Sequence, residues 1–162
     1  MPVGRGERPQ RESQPDFLTL AIRYLARAER TASQVEQYVQ GKGASRAQGK
    51  RVVQELERRG YLDDQAYAVR WAEARLARRP MGRERLKLEL LSRGFEEAVA
   101  ERALKNAYRS LSEQELACRA LDGRTTSMRP LQWIRLLRQR GFDDDTIQQV
   151  TRVDLETGLD EL

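Results

Sequence analysis

From residue 16 onward, the hydrophobic positions of the chain recur with the period of an α-helix. The first such segment places five hydrophobic residues on one helical face: Phe17, Ala21, Tyr24, Leu25 and Ala28. Beyond Pro15, proline occurs only at positions 80 and 130, and no segment alternates hydrophobic and polar residues for long. The pattern therefore predicts an all-α protein in which strands are not expected.

Glycines and capping residues predict where these helices end and begin. Four glycines follow amphipathic segments with basic residues in the last turn, as helix C-termini favour: Gly43, Gly60, Gly94 and Gly141. Thr31 and Ser112 each precede a Gln or Glu by three residues, which is the spacing of a capping box. Asp63 and Asp143 open acidic runs that suit the positive end of a helix dipole, and Pro130 suits a first helical turn.

Aligning Gly43, Gly94 and Gly141 shows an internal repeat with separations of 51 and 47 residues. Hydrophobic residues recur eight and four positions before the glycine and one and nine positions after it. In that order, the matched residues are Val35, Leu86 and Trp133; Val39, Leu90 and Leu137; Ala44, Phe95 and Phe142; and Val52, Ala103 and Val150. A further helix is expected ahead of each pair, near 16–29, 64–79 and 112–122.

The alignment predicts three tandem three-helix repeats, at 16–60, 61–110 and 111–152. Each unit is too small to bury much core alone, so neighbours are expected to stack into an elongated, curved rod. A single helical bundle with accidental self-similarity is the alternative. Residues 1–15 contain three prolines and two glycines and are expected to form a flexible arm, whereas 153–162 form an acidic C-terminal tail.

Composition excludes several classes of function. The 162 residues include no histidine and one cysteine, Cys118, which excludes a Ser-His-Asp relay, a structural zinc site and an internal disulfide. Cys118 stands among hydrophobic positions and is expected to be buried. Acidic clusters stand where helices begin, so capping explains them better than metal binding: Asp63/Asp64, Glu96/Glu97 and 143–145. No glycine-rich phosphate loop occurs, and neither a cofactor nor an enzymatic activity is expected.

The chain also lacks the apolar segments that direct proteins to membranes. No stretch approaches the roughly 18 apolar residues of a membrane span, and the first 15 residues lack the apolar core of a signal peptide. A cytosolic location is therefore the expectation.

Charge points to binding rather than catalysis. The net charge is +5, and repeats 1 and 2 carry most of it. Six basic residues surround the break at Pro80–Met81–Gly82: Arg75, Arg78, Arg79, Arg83, Arg85 and Lys87. A second group follows the middle helix of the third repeat: Arg129, Arg135, Arg138 and Arg140. Any single arginine is best explained as part of a solvated face, but the clusters suit a phosphate backbone or an acidic protein groove.

Aromatic residues could provide a stacking platform for nucleic-acid bases, but core packing is the better explanation for them. Tyr67 and Trp71 are one helical turn apart. Trp133 occupies a repeat position that Val35 and Leu86 fill in the other units.

Three segments carry a resemblance to a known family: RYLARAERTASQVEQYV at 23–39, ELERRGYLDDQAYAVRWAEARLARRPMGRERLKLELLSRGF at 55–95 and IRLLRQRGFDDDTIQQV at 134–150. They resemble the RecX family of recombination regulators, and GYLDDQAYA at 60–68 is the most specific part. The resemblance independently implies three three-helix repeats. Of the glycines in the family's Gly-x-Gly-Pro break, only Gly82 is retained here.

The resemblance implies a non-enzymatic partner of the RecA–DNA filament. Members of the family lie in the filament groove and restrain strand exchange, ATP hydrolysis and coprotease activity, and so act on DNA repair and the SOS response. The chain is expected to be a monomer that binds the RecA filament, with direct binding to single- or double-stranded DNA as a further expectation. The two basic groups are the expected contact. The alternative is a helix-turn-helix regulator that binds duplex DNA without RecA.

Overall fold

In the computed structural model, residues 16–123 and 128–157 are described, with side chains up to residue 152. These residues form nine α-helices and no strand: α1 (Phe17–Leu25), α2 (Ala32–Gly41), α3 (Arg46–Arg58), α4 (Asp64–Arg78), α5 (Arg83–Arg93), α6 (Glu97–Ser110), α7 (Glu113–Leu121), α8 (Pro130–Gln139) and α9 (Asp144–Thr157). The predicted all-α class is confirmed. Residues 1–15 and 158–162 lie outside the described residues, and α9 continues through the first five residues of the segment assigned to the tail.

The predicted helix ends are present as local hydrogen bonds. Thr31 and Ser112 form capping boxes at the starts of α2 and α7. Asp63 accepts a hydrogen bond from the Ala66 amide at 2.9 Å, which caps α4. Gly94 ends α5 with φ 98°, a left-handed conformation that favours glycine. Helix α1 is shorter than predicted, because residues 26–30 turn the chain toward the Thr31 cap.

The repeat alignment correctly predicts the core. All twelve aligned hydrophobic residues are buried, with none more than 9% exposed. Tyr67 and Trp133 are buried as well, and Trp71 packs partly buried against the same core. The explanation of these aromatic residues as core packing is therefore confirmed.

The nine helices of the described residues pack as three consecutive triplets, α1–α3, α4–α6 and α7–α9, which we call repeats 1, 2 and 3. Repeat 1 has its own hydrophobic core, to which Leu62 is added. Repeats 2 and 3 share one continuous core that extends from Tyr67 to Val150. Two of the three repeats are thus joined by apolar packing, and the first is set apart.

The prediction that Cys118 is buried was wrong. Four hydrophobic residues of α7 face the core: Leu116, Ala117, Ala120 and Leu121. Cys118 lies on the opposite side of the same helix and is exposed, because the inward positions of α7 are already filled. No helix in the described part of the chain is long and apolar enough to cross a membrane.

Candidate interaction surface

Consecutive repeats meet where the middle helix of one begins and the leading helix of the next begins. The amide of Ala32, the first residue of α2, donates to Asp64 Oδ1 at 3.0 Å. The amide of Arg83, the first residue of α5, donates to Glu113 Oε1 at 2.6 Å. Asp64 and Glu113 are themselves the first residues of α4 and α7. Each carboxylate therefore satisfies an otherwise unpaired helix amide and faces the positive end of a neighbouring helix dipole.

The glycines of the repeat alignment lie at the same two junctions. Gly94, at the end of α5, packs against Thr31 at the start of α2, and a Cβ added to Gly94 would lie 3.0 Å from Thr31 Oγ1. At the next junction, the amide of Gly82 donates to the Arg140 carbonyl at 2.9 Å. A Cβ on Gly82 would overlap the carbonyl group of Gly141. The middle helices α8, α5 and α2 consequently follow one another end to end.

The break at Pro80–Met81–Gly82 is the joint between repeats 2 and 3. Tyr108 Oη donates to the Met81 carbonyl at 2.9 Å, and Arg140 Nη1 donates to the Pro80 carbonyl at 3.3 Å. Burial raises the pKa of Tyr108, so its hydroxyl remains a donor at neutral pH. Arg140, predicted as part of the second binding group, is therefore held at this joint.

The Asp64 carboxyl at the first junction is half-buried and crowded by like charge. Burial raises the pKa of Asp64, and the carboxylates of Glu57, Glu96 and Asp63 add to that rise. The hydrogen bond from the Ala32 amide acts in the opposite direction. The acidic pair at 63–64 thus divides its roles. Asp63 caps its own helix, and Asp64 also binds the preceding repeat.

Two of the six predicted contact residues around Pro80 share a carboxylate on α5. Arg75 Nε lies 2.5 Å from Glu89 Oε2, and both side chains are mostly buried. Arg85 Nε lies 3.3 Å from the other Glu89 oxygen and is half-exposed. The pairing with Arg75 holds the pKa of Glu89 below its ordinary value. Arg75 is therefore fixed within repeat 2.

Lys87 points away from the break and toward α6. Its Nζ lies 2.5 Å from Glu101 and 3.1 Å from Glu97, and these partners raise the pKa of Lys87 to about 12. Its side chain is only 24% exposed. Lys87 is close to the other five cations in sequence but lies on a different face of the helix.

Three arginines of the same group are exposed on either side of the break. Arg78 and Arg79, at the end of α4, make no ion pair within the described part of the chain. Arg83 begins α5 and places its guanidinium 5.0 Å from the centre of the Tyr108 ring. These three side chains are the ones available to a partner.

The second predicted group also divides. Arg135 is exposed on α8 and makes no ion pair among residues 16–123 and 128–152. Arg138 lies 3.0 Å from Asp144, and both side chains are largely exposed. Together with Arg140 at the joint, the group provides one unpaired surface cation.

Sequence reasoning did not identify two exposed leucines on the middle helices. Leu88 of α5 and Leu131 of α8 are 62% and 79% exposed. Helical periodicity could have flagged both, because neither falls on the buried stripe of its helix. No group of three or more His, Cys, Asp or Glu side chains with metal-binding geometry occurs among the described residues.

These features define an all-α repeat protein with exposed arginines near its second repeat junction. Residues 63–104 match the family model described as RecX, second three-helix domain. Regulatory protein RecX of Treponema pallidum is 31% identical over 138 residues, covering 85% of this chain and 84% of that protein. The chain belongs to the RecX family, whose members bear the name regulatory protein.

Two further relatives extend the similarity over almost the whole chain. Regulatory protein RecX of Pelodictyon phaeoclathratiforme is 27% identical over 154 residues, covering 91% of this chain and 94% of that protein. The crystal structure of RecX from Lactobacillus salivarius matches with a TM-score of 0.73 at 21% identity, covering 86% of this chain and 95% of that one. The structural match supports the helical repeat fold.

Proposed function

We propose that this protein binds the RecA–DNA filament along its groove and inhibits the recombinase, ATPase and coprotease activities of RecA. By doing so it would regulate DNA repair and the SOS response. Family membership supports the partner. The observation that carries the proposal is the end-to-end joining of three repeats, with exposed arginines on repeats 2 and 3. An extended row of repeats suits contact with a polymer over several subunits.

Within the proposed surface, the exposed cations Arg78, Arg79 and Arg83 form the main contact, and Arg135 forms a secondary one. Arg85 and Arg138 belong to the same surface, although each has a carboxylate neighbour. The remaining three predicted residues are held inward, where they support the repeats: Arg75, Lys87 and Arg140.

The physical basis of the proposed inhibition is electrostatic attraction followed by bridging. Exposed arginines attract both DNA phosphates and acidic protein surfaces, and this attraction weakens as salt increases. A rigid contact across neighbouring RecA subunits opposes the relative movements that strand exchange and ATP turnover require.

The test is co-sedimentation of the purified protein with RecA–single-stranded DNA–nucleotide filaments, together with a RecA ATPase assay. The triple variant Arg78→Glu, Arg79→Glu, Arg83→Glu should lose inhibition and filament binding, because its three exposed cations are replaced by anions. Its helix content, measured by circular dichroism, should match the unaltered protein.

A triple variant in repeat 1 controls for the change in net charge. Arg23, Arg46 and Arg51 are exposed, and their reversal to Glu alters the total charge equally. This control should keep most of its inhibition. Equal inhibition by the two triple variants would contradict the assigned surface. Tight, sequence-specific duplex binding without any filament binding would instead support the helix-turn-helix alternative.

A further inference from the structure

The exposed leucines occupy the same stripe of two equivalent helices. Leu88 stands six positions before Gly94, and Leu131 stands ten positions before Gly141. The difference of four positions is about one helical turn, so both side chains project from the outer face of a middle helix. They are 62% and 79% exposed.

Each leucine has an arginine one turn away on the same face. Arg85 precedes Leu88 by three positions, and Arg135 follows Leu131 by four. Both arginines are exposed. Arg135 makes no ion pair in the described part of the chain, and Arg85 shares Glu89 with a closer partner, Arg75. We call the two sets, Leu88 with Arg85 and Leu131 with Arg135, the leucine–arginine pairs.

The two pairs lie on the part of the molecule where spacing is fixed. Repeats 2 and 3 share one continuous core, and the Gly82 and Gly141 backbones pack directly against each other. The corresponding positions of α2 in repeat 1 are Ser33 and Gln37, which are neither apolar nor charged. The two pairs are therefore held apart at one distance by rigid packing.

We propose that the two leucine–arginine pairs dock on the protein subunits of the filament, one pair on each of two successive subunits. This inference rests on the function proposed above. Each subunit would offer an apolar socket beside a carboxylate, which complements a leucine and an arginine one turn apart. A phosphate backbone offers no such socket, so an exposed leucine at the centre of a basic face selects protein over DNA. A polymer of identical subunits presents its socket repeatedly at a fixed interval, as two rigidly spaced pairs require.

The test measures filament co-sedimentation of Leu88→Asp, Leu131→Asp and the double variant. Each single change should weaken binding roughly tenfold, because it removes an apolar anchor and places an anion against a carboxylate. The double variant should bind more weakly than either single variant. Leu88→Ser and Leu131→Ser should weaken binding in the same order without adding charge. All four positions of substitution are exposed, so circular dichroism should remain unchanged.

Gln37→Asp is the matched control, because it puts the same anion on the outer face of α2, where no leucine–arginine pair exists. It should bind filaments like the unaltered protein. Affinity for free single-stranded DNA should be the same for the leucine-to-serine variants and the unaltered protein.

Two results would overturn the inference while leaving the proposed function intact. One is normal filament binding by the double variant. The other is a parallel loss of free-DNA affinity in the serine variants, which would assign the stripe to nucleic acid. Failure of the unaltered protein to bind filaments would overturn the proposed function, and this inference with it.

Discussion

Replacing Gly82 by alanine tests the contact between repeats 2 and 3. A Cβ at this position would overlap the Gly141 carbonyl group and lie 2.7 Å from the Phe142 nitrogen. Ordinary contacts between such atoms are about 3.5–4 Å. The obstacle is backbone on a neighbouring helix end, so no side-chain rotation can relieve it. Gly82 itself has φ −75° and ψ 164°, a conformation that any residue adopts. The whole cost of the substitution therefore comes from packing.

The size of the effect follows from three contributions. Overfilling a packed site costs about 1–3 kcal/mol. Moving the junction apart to admit the methyl group also sacrifices the hydrogen bond from Gly82 to the Arg140 carbonyl, worth about 1 kcal/mol. Alanine narrows the unfolded ensemble, which offsets about 0.5 kcal/mol. We expect the free energy of unfolding to fall by about 2.5 kcal/mol.

Urea denaturation followed by far-ultraviolet circular dichroism measures this change. The unfolding midpoint of Gly82→Ala should be lower by about 1 M or more. Gly41→Ala is the control, because a Cβ at the end of α2 has nothing within 4 Å. The control should be unchanged or slightly more stable, since alanine is the better helix former. If Gly82→Ala unfolded at the midpoint of the control, the proposed close approach of the two helix ends would be refuted.

Other changes test the first junction and helix α3. Asp64→Asn should be more stable than Asp64→Ala by about 1 kcal/mol in urea denaturation, because the amide oxygen still accepts from Ala32. The folded state raises the pKa of Asp64, so its stabilising contribution is full below the ordinary carboxyl pKa and is lost as the pH rises. The stability of the unaltered protein relative to Asp64→Asn should therefore fall from acidic to neutral pH. Gly49→Ala should change thermal stability little, because the helix-propensity gain is opposed by Glu36 Cγ, 3.1 Å from the new Cβ. In a Glu36→Ala background the same change should stabilise.

The repeat alignment predicted burial because local pattern and capping determine which face of each helix turns inward. Val35, Leu86 and Trp133 differ in size and still occupy equivalent buried positions. Cys118 was misplaced because hydrophobic residues flank it on both sides, and periodicity alone did not select the face. The packing role of Gly82 depends on a backbone 59 residues away in sequence, at Gly141. No local pattern reports such a contact.

The candidate surface was harder to predict than the fold. Residues close together in sequence were grouped as one basic cluster, but successive helical positions point in different directions. Lys87 turns toward Glu101, and Arg75 turns toward Glu89. Which arginines remain available depends on carboxylates from other turns and other helices, and only the tertiary structure brings those together.

The two junctions use the same hydrogen bond but differ in what lies behind it. Behind the bond between Arg83 and Glu113 the hydrophobic core is continuous, so separating repeats 2 and 3 would expose apolar surface at about 25 cal/mol per Å². Beside the bond between Ala32 and Asp64 lies a cleft of about 570 Å³ lined by both repeats. Hydrogen bonds opened beside that cleft are exchanged for bonds to water at a net cost of about 1 kcal/mol each.

Motion between repeats is therefore concentrated at the first junction, and repeats 2 and 3 move together. Both leucine–arginine pairs lie on the rigid part, where a fixed spacing lets two contacts with a polymer reinforce each other. Repeat 1 carries neither pair and has a separate core. Its polar junction lets repeat 1 adjust to the path of a helical groove without disturbing the spacing of the two contacts.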